Sequence, residues 1–590
     1  MKKFILGRVL QTIYLLVVSM SIFTSCSFAS GASNILGDAD GNGAVNSTDF
    51  SLVKRYIVGM IKSFPYENGF TNADVTADGL VNSKDLAYIK RYLLGMIATF
   101  PGDKTTSDFI RPGVSLKVPT DPVPVNSDAL FSINASDDSG IKTQILLLNG
   151  KEISLDSTAN AVYKMESPGL YSVEAFVYDM AGNQGYARKD LLCVTDKDGK
   201  NPEALISSPA EGTVLTTSAA IKGTADDENF MAYTLEYSLK GKNTYIKFAE
   251  GKAPVKDGTL GVFDPGLVKK GIYDIRLTVY DNGGLLSKAN ITVVADGNSQ
   301  GRLIQSSTDL SYMASGVPLD FTRWYDSGNV SSGDLGYGWS SYFGGIKITQ
   351  SEDPSLSWIK DSEGSVHETK PHIVVVTYPD GKMDKFYMCF EEGAVPSSET
   401  GHLIVSFKAF PGTTSSLSCE NTDCYAHNNP DFGLWNGIDL SSGRYVPGKF
   451  TLTASDGKKI EFGLDGSAQN ITEKSGITTT LSDEGMTAVS QDTSVKVCYI
   501  KNAGVTESVY GLDGRYVTYA YDSYGDLVTV TGTDGKKTSY RYDSSHRIID
   551  IIGSDGKHVP VSYPVQTAST RINNIAMVTD SIGMILSQGY

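Results

Sequence analysis

Twelve residues near the N-terminus have the side chains and the spacing to surround a metal ion. Residues 38–49 read Asp-Ala-Asp-Gly-Asn-Gly-Ala-Val-Asn-Ser-Thr-Asp, with side-chain oxygens at the first, third, fifth, ninth and twelfth positions and glycine at the sixth. Ca²⁺ binds about six to eight oxygen ligands, and a tightly turned loop brings them together. The predicted ligands are Asp38, Asp40, Asn42, the carbonyl of Ala44, Asn46 (through a water) and Asp49.

A diverged copy of this loop begins 36 residues later. A single acidic loop could be a solvated turn. Two loops in register, each followed by a Lys-Arg-Tyr segment with apolar residues at helical spacing, instead predict two bound calcium ions, each beside a helix. The apolar face of the first helix is predicted from Leu52, Val53, Tyr56, Ile57, Met60 and Ile61. The ligands of the second site are predicted to be Asp74, Thr76, Asp78, the carbonyl of Leu80, Asn82 and Asp85.

The third position distinguishes the two loops. It is Asp40 in the first loop and Thr76 in the second. A hydroxyl on Cβ reaches less far than a carboxylate, so we expect the second site to hold calcium more weakly.

The doubled loop and helix, about residues 35–102, closely resemble a type I dockerin, the module that attaches cellulosomal proteins to the cohesin domains of a scaffoldin. The resemblance implies which residues contact cohesin, namely loop positions 10 and 11 and the basic pair of each helix. These are Ser47, Thr48, Lys54 and Arg55 in the first half and Ser83, Lys84, Lys90 and Arg91 in the second. Dockerin symmetry lets either half dock. Lys84 departs from the Ser-Thr pair of the first half, which puts equal use of the two halves in doubt.

Bulk composition limits the rest of the chain. A length of 590 residues suggests about four domains. A net charge of −16 and a pI near 4.9 argue against nucleic acid and anionic membranes as partners. Sixty glycines and 32 tyrosines indicate turn-rich β structure. The predicted fold is therefore multidomain, a small α dockerin followed by an all-β remainder.

The N-terminus reads as a signal peptide over residues 1–29. Lys2, Lys3 and Arg8 precede an apolar stretch, residues 13–23, that is too short for stable membrane insertion. Secretion into the extracellular, cellulosome-associated space is the preferred interpretation. Lipoprotein anchoring at Cys26 is the alternative.

A polar linker is predicted over residues 103–112, followed by two β-rich segments. Residues 113–195 and 202–296 alternate short β-prone runs with turns. Each contains a Gly-x-Tyr strand that ends at Asp, at residues 169–179 and 271–281, and the first continues into Ala181-Gly182-Asn183. Both segments resemble bacterial immunoglobulin-like modules, which implies spacers. Carbohydrate binding stays possible.

Residues 300–590 have a different pattern. The stretches 317–327 and 335–340 look like the segment that opens the repeat region of RHS/YD-repeat proteins, and Asp-Gly turns at 513, 534 and 555 are 21 residues apart. The Tyr-Asp pairs at 521 and 542 are also 21 residues apart. The Asp-Gly pairs at 380 and 456 look like diverged copies of the same turn. Hairpins this short must join into a continuous sheet. Because the chain ends at Tyr590 after few repeats, we expect a truncated relative or an adhesive region with an open final edge.

Three functions are compatible with these features. The preferred one is a non-catalytic, cellulosome-associated protein that docks to cohesin, with a β-rich region that contacts polysaccharide or cell wall. The alternatives are a glycoside hydrolase, which needs two converging carboxylates, and a truncated RHS/YD toxin carrier. Cys419 and Cys424 either pair across a short loop or are free thiols.

Overall fold

The computed structural model describes residues 35–76, 79–93, 100, 108–195, 199–298, 301–314, 316–362, 365–390, 400–427, 433–491, 493–563 and 577–578. The chain divides into two compact units, Met1–Asp108 and Phe109–Tyr590. The predicted signal peptide with Cys26, most of the predicted linker (103–107), Asp78 and the chain end after 578 lie outside the described residues. No helix within the described residues is long and apolar enough to cross a membrane.

The first unit contains three helices, α1 (Ser47–Ile57), α2 (Gly69–Ala73) and α3 (Ser83–Leu93). Both longer helices begin with the same cap. Asn46 Oδ1 accepts a hydrogen bond from the Thr48 amide at 2.7 Å, and Asn82 Oδ1 accepts one from the Lys84 amide at 2.8 Å. Such caps satisfy amides that have no partner inside the helix, so each loop fixes where its helix starts.

A small apolar core joins the three helices. Val53 of α1 and Ile89 of α3 are fully buried together with Ala39, Ala73 and Val75. The prediction that Met60 and Ile61 continue the apolar face of the first helix is wrong. Helix α1 ends at Ile57, and Met60 is 72% exposed in the turn that follows.

The second unit begins with two β-sandwiches of the same topology. In each, a three-stranded sheet faces a five-stranded sheet, with orders β1-β3-β6 and β2-β8-β7-β4-β5 in the first and β9-β11-β14 and β10-β16-β15-β12-β13 in the second. The strands of the first are β1 (Gly113–Lys117), β2 (Val123–Pro124), β3 (Asp128–Ser136), β4 (Ile141–Leu148), β5 (Lys151–Ile153), β6 (Asn160–Lys164), β7 (Gly169–Asp179) and β8 (Gln184–Val194). Those of the second are β9 (Glu203–Ser208), β10 (Val214–Leu215), β11 (Ala219–Asp226), β12 (Phe230–Leu239), β13 (Ile246–Gly251), β14 (Val255–Phe263), β15 (Gly271–Asp281) and β16 (Leu286–Ala295).

The rest of the second unit begins with five strands, two long and three short, which we call the cover segment. Two larger sheets follow. The cover segment contains β17 (Ile304–Ala314), β18 (Val317–Asp326), β19 (Ser332–Gly333), β20 (Gly336–Tyr337) and β21 (Trp339–Ser341). Then come β22 (Lys347–Gln350), β23 (Trp358–Lys360), β24 (Val366–Glu368), β25 (Ile373–Thr377), β26 (Met383–Phe390), β27 (Thr400–Ala409), β28 (Ser416–Cys419), β29 (Asp423–His427), β30 (Gly433–Trp435) and a short 3₁₀ helix at Leu440–Ser442. A six-stranded sheet has the order β22-β25-β26-β27-β29-β30.

A continuous antiparallel sheet of 14 strands forms the C-terminal part of this unit. It joins β28 to β31 (Phe450–Thr453), β32 (Lys459–Phe462), β33 (Ala468–Thr472), β34 (Thr478–Ser482), β35 (Gly485–Val489), β36 (Ser494–Asn502), β37 (Val505–Gly511), β38 (Tyr516–Tyr521), β39 (Leu527–Thr531), β40 (Lys537–Tyr542), β41 (Ile548–Ile552), β42 (His558–Ser562) and β43 (Met577–Val578). The predicted fold class, a small helical dockerin region followed by an all-β remainder, is therefore confirmed. The Asp-Gly pair at 456 turns within this sheet, whereas the pair at 380 turns within the six-stranded sheet.

The cover segment packs against one face of the 14-stranded sheet. Phe321, Tyr325 and Trp339 are buried in one cluster with sheet residues such as Val509 and Val517. The hairpins join into a continuous sheet, as predicted, but the sheet alone does not cover its apolar face. They supply the hydrogen bonds along the sheet, while the cover segment supplies the apolar partner.

The repeated tyrosines form a ladder of hydrogen bonds. Each hydroxyl donates to the carbonyl 15 residues earlier, at 2.6 to 2.9 Å. The pairs are Tyr521 with Thr506, Tyr542 with Leu527, and Tyr563 with Ile548. The 21-residue period therefore repeats a side-chain contact as well as a turn.

Cys419 and Cys424 are free thiols in this structure, as are the other described cysteines. Cys419 Sγ donates to the Asn421 carbonyl at 3.1 Å. Cys424 is fully buried, and burial raises the pKa of its thiol to about 12.

Candidate metal sites and docking face

The first loop gathers three carboxylates. Oxygen atoms of Asp38, Asp40 and Asp49 lie within 4.8 Å of one another. Asp38 is 2% exposed, and its carboxylate accepts backbone amides at 2.8 to 3.0 Å from Gly41, Asn42 and Gly43. Gly43 has φ +88°, which non-glycine residues rarely adopt, so the sixth loop position requires glycine. The sharp turn thus wraps the loop backbone around the first predicted ligand.

Asp49 closes this loop from the first turn of α1. Its Oδ1 accepts the Asp40 amide at 3.1 Å, and its Oδ2 accepts the Asn46 amide at 2.8 Å. Burial raises the pKa of Asp49, and the charges of Asp40 and Asp38 raise it further, against the lowering effect of the two amides. Among the described residues, no lysine or arginine pairs with Asp38, Asp40 or Asp49. An all-oxygen, negatively charged cage of this kind fits a hard divalent cation such as Ca²⁺.

The remaining predicted ligands of the first loop are held by one another. Asn42 Oδ1 accepts the Ala44 amide at 3.0 Å. The Asn46 side-chain amide donates to the Ala44 carbonyl at 3.1 Å, while its Oδ1 caps α1. Asn46 therefore links the loop to the helix in addition to its predicted contact with calcium through a water.

The second loop repeats this arrangement with one change. Asp85 is fully buried and accepts the amides of Thr76 and Asn82 at 3.1 and 2.9 Å, and Asp74 accepts the Gly79 amide at 2.7 Å. The Thr76 hydroxyl lies 2.8 Å from Asp85 Oδ1 and 3.3 Å from Asp74 Oδ1. At the third loop position, the first loop therefore has a carboxylate, whereas the second has an uncharged hydroxyl within hydrogen-bond distance of Asp85 and Asp74. Leu80 has an exposed side chain, as a carbonyl ligand permits, and Asp78 lies outside the described residues.

Two contacts in this unit were not anticipated as parts of the site. Asn72, fully buried at the end of α2, donates to the Asp38 carbonyl at 2.8 Å and accepts the Gly37 amide at 2.7 Å. This contact couples the first loop to the segment that leads into the second. No motif marks Asn72, because the corresponding position of the first half is Leu36.

The second contact is a pair of equivalent aromatic stacks. Tyr56 stacks on Phe64 with ring centroids 4.8 Å apart, and Tyr92 stacks on Phe100 at 4.7 Å. The Phe-Pro pair that recurs at residues 64 and 100 is the sequence signal that could have predicted these stacks. Each stack fastens the chain that leaves a helix back onto that helix.

The eight residues predicted to contact cohesin are all solvent-exposed. In each half, the loop pair and the basic pair lie at opposite ends of the same helix, α1 or α3. The exposed residues are Ser47, Thr48, Lys54, Arg55, Ser83, Lys84, Lys90 and Arg91, which we call the docking face.

Family models match three parts of the chain. The type I dockerin domain matches residues 36–94, a domain of unknown function (DUF6531) matches residues 298–368, and the RHS repeat matches residues 521–558. The search of curated protein sequences finds no match for this chain.

Several solved structures are similar to parts of the chain. One is the complex of the third ScaC cohesin with the ScaB dockerin from Acetivibrio cellulolyticus, at 43% identity over 12% of this chain and 96% of that chain, with a TM-score of 0.12. Another is the Coh-OlpC-Doc435 complex from Clostridium thermocellum, at 43% identity over 11% and 96%, with a TM-score of 0.11. The fibronectin(III)-like modules of Clostridium thermocellum CbhA match at 12% identity over 31% and 95%, with a TM-score of 0.14. The chain thus carries a type I dockerin domain near its N-terminus, followed by an all-β region that includes an RHS repeat.

Proposed function

We propose that residues 36–94 bind two calcium ions and, in that state, dock the chain onto a cohesin domain of a scaffoldin in a cellulosome-type assembly. The observation that carries this proposal is the coincidence of the dockerin match with a buried carboxylate cluster in the first loop. The all-oxygen ligand set of each loop supports calcium rather than a metal that prefers thiolate or imidazole ligands.

Calcium and docking are linked through the helices. Asp49 and Asp85 each hold the first residue before a helix through its backbone amide, at 2.8 and 2.9 Å. Without a cation, the clustered carboxylates of the first loop repel one another around a core of only six fully or nearly buried apolar residues. Loss of calcium should therefore release the helix starts, and the docking face with them.

The β-rich region is proposed to act in binding or adhesion, with polysaccharide or cell wall as its ligand, outside the cell. The packing of the cover segment against the 14-stranded sheet supports a filled structure rather than a shell around a cargo. A cavity of about 150 Å³ beside Arg323, Trp339 and Tyr540 is also lined by Gln305, Ser306, Ser307, Thr538 and Ile551, and no Asp or Glu lines it. A glycoside hydrolase would need two converging carboxylates there, so this cavity does not favour the enzyme alternative.

The docking proposal is tested by surface plasmon resonance of the secreted full-length chain on immobilised scaffoldin cohesins, in calcium and in a calcium chelator. We expect binding in calcium and its loss in chelator, and a strong loss for Asp49→Ala in calcium. Asp534→Ala, which changes an exposed turn residue of the 14-stranded sheet, is the matched control and should bind as the parent does. Cohesin binding that survives chelation would contradict the proposal.

The binding role of the β-rich region is tested separately with the same full-length chain. We expect retention on a cell-wall or polysaccharide array and no release of reducing sugar from cellulose, xylan or pectin. Sugar release from any of these polymers would overturn the non-catalytic assignment.

A further inference from the structure

Two consecutive tyrosine-aspartate turns of the 14-stranded sheet are built alike. They span residues 522–526 and 543–547, which are 21 residues apart. Asp522 Oδ1 accepts the amides of residues 524 and 526, both at 3.0 Å. Asp543 Oδ1 accepts those of residues 545 and 547, both at 2.9 Å. The backbone of one turn is therefore a copy of the other.

The two turns differ in charge at their fifth position. In the second turn this residue is Arg547, whose Nε donates to Asp543 Oδ2 at 2.8 Å and whose guanidinium lies 4.6 Å from the ring centre of Tyr563. In the first turn the same position is Asp526. The first turn thus has two aspartates and no arginine of its own, and both side chains are fully buried.

Arg111, more than 400 residues earlier in the chain, occupies the place that Arg547 takes in the second turn. Its Nε donates to Asp522 Oδ2 at 3.0 Å, the oxygen equivalent to the one that Arg547 contacts. Its guanidinium lies 6.0 Å from the ring centre of Tyr542, which precedes Tyr563 by one repeat, and it also pairs with Asp526. We therefore propose that Asp522 and Asp526 form an acidic socket, that Arg111 completes it from outside the repeat, and that this contact locks the first β-sandwich onto the 14-stranded sheet.

The two negative charges of Asp522 and Asp526 mean that the socket is stable only with a cation beside them. Burial raises the pKa of Asp522, Arg111 lowers it, and Asp526 raises it again. Two carboxylates this close in a buried turn repel each other unless a positive group lies between them. Arg111 is itself only 6% exposed, and it also donates to the Asp543 carbonyl at 2.7 Å and lies 4.5 Å from the ring centre of Tyr524. His546 Nδ1 lies 3.0 Å from both oxygens of Asp526, but its ring is nearer the surface.

Neighbouring contacts show what the lock holds. The Tyr524 hydroxyl donates to the Pro112 carbonyl at 2.8 Å and accepts the Tyr186 amide of β8 at 3.1 Å. A side chain at Gly185 would collide with the Pro112 carbonyl, because its Cβ would lie 2.3 Å away. On the other side, the Tyr337 amide of the cover segment donates to the Gly525 carbonyl at 3.2 Å. One turn thus joins the first sandwich, the cover segment and the sheet, so the sandwich is a fixed part of the second unit rather than a mobile spacer.

Hydrogen–deuterium exchange of the full-length chain tests the lock. In Arg111→Ala we expect exchange to rise by at least about tenfold both at residues 523–526 and at β8 near Tyr186, since a buried ion pair loses one partner. Arg111→Ala combined with Asp526→Arg gives the first turn the residue of the second. We expect this double variant to regain protection at 523–526 but not at β8.

Arg547→Ala is the matched control, because it removes the local arginine of the second turn. It should raise exchange at residues 544–547 and leave β8 unchanged. If Arg111→Ala does not fold, Arg111→Lys provides the same comparison, since lysine keeps the charge but cannot bridge both aspartates. Calcium titration of each variant reports whether residues 36–94 are intact. Unchanged exchange at β8 in the Arg111 variant, or no recovery of the turn in the double variant, would overturn the proposal.

Discussion

The predicted calcium loops of residues 36–94 and the tyrosine-aspartate turns of residues 521–558 are both duplications, and in each pair the copies differ at a charged position. The third loop residue is Asp40 in one copy and Thr76 in the other, and the fifth turn residue is Asp526 in one copy and Arg547 in the other. Thr76 and Arg547 each donate a hydrogen bond to an aspartate beside them, and Arg547 also supplies a positive charge. Asp40 and Asp526 instead place a carboxylate at that position, beside Asp38 and Asp49 in the loop and beside Asp522 in the turn.

This comparison shows how a duplicated site acquires a dependence on something outside the repeat. Clustered carboxylates that are wholly or partly buried need a positive partner, and among the described residues no lysine or arginine of the same copy pairs with them. The turn obtains it from Arg111 of the same chain, and we propose that the loop obtains it from calcium. Arg111 belongs to the chain and is therefore always present. The proposed calcium ion comes from solution, so the fold of the loop depends on the calcium concentration.

The largest effect is expected from removing the cation of the first loop. Asp49→Ala should lower calcium affinity at that loop by about a hundredfold or more, because one buried ligand and its contact with the start of α1 are lost together. Chelation of the parent removes the ion itself and should lower its helix content. Calorimetry measures the affinity, and circular dichroism measures the helix content. Equal helix content with and without chelator would separate folding from calcium and break the comparison.

The tyrosine ladder should respond unequally to loss of a hydroxyl. Tyr542 donates to the Leu527 carbonyl and accepts from Trp339 Nε1 at 2.9 Å, whereas Tyr521 donates only to the Thr506 carbonyl. We expect Tyr542→Phe to lower the free energy of unfolding by about 2 kcal/mol, and Tyr521→Phe by about 1 kcal/mol, since it leaves fewer buried groups unpaired. Urea unfolding of the two variants checks the order. The reverse order would mean that the contact of Trp339 with the ladder contributes little.

The two halves of the docking face should differ in their contribution to cohesin binding. Bulky replacements of Ser47 and Thr48 should weaken binding by about tenfold, more than the same replacements of Ser83 and Lys84, because Lys84 departs from the first half. Removal of the charges of Lys54 and Arg55 should mainly slow association and flatten its salt dependence. Surface plasmon resonance measures both. Equal losses from the two halves would show that Lys84 is tolerated.

The smallest effect is expected in the second loop. Thr76→Asn should tighten its calcium site several-fold, because an amide oxygen on a longer side chain replaces the hydroxyl that now donates to Asp85. Calorimetry of the parent should resolve two calcium sites of unequal affinity. In the variant, the two affinities should be more similar. Two equal sites in the parent would remove the distinction between the loops.

Local patterns in the sequence were enough to predict the candidate ligands and the strands of the repeats. The ligands of each loop lie within 12 residues, so their spacing alone predicts a cage around one ion. The 21-residue period predicted a continuous sheet, and the structure confirms it. The face contacts of that sheet were not predicted, because nothing in a hairpin's own pattern says which distant segment will cover it.

By itself, the sequence determined the dockerin domain, the order of helical and β regions, and the equivalence of residues one period apart. The tertiary structure alone decided that Asn72 holds the first predicted calcium loop, that Trp339 packs on the tyrosine ladder, and that Arg111 contacts Asp522 and Asp526. The reason is physical. Backbone turns and helix caps follow from interactions between near neighbours, whereas a buried charge is satisfied by whichever partner the folded chain brings to it, however far away in sequence.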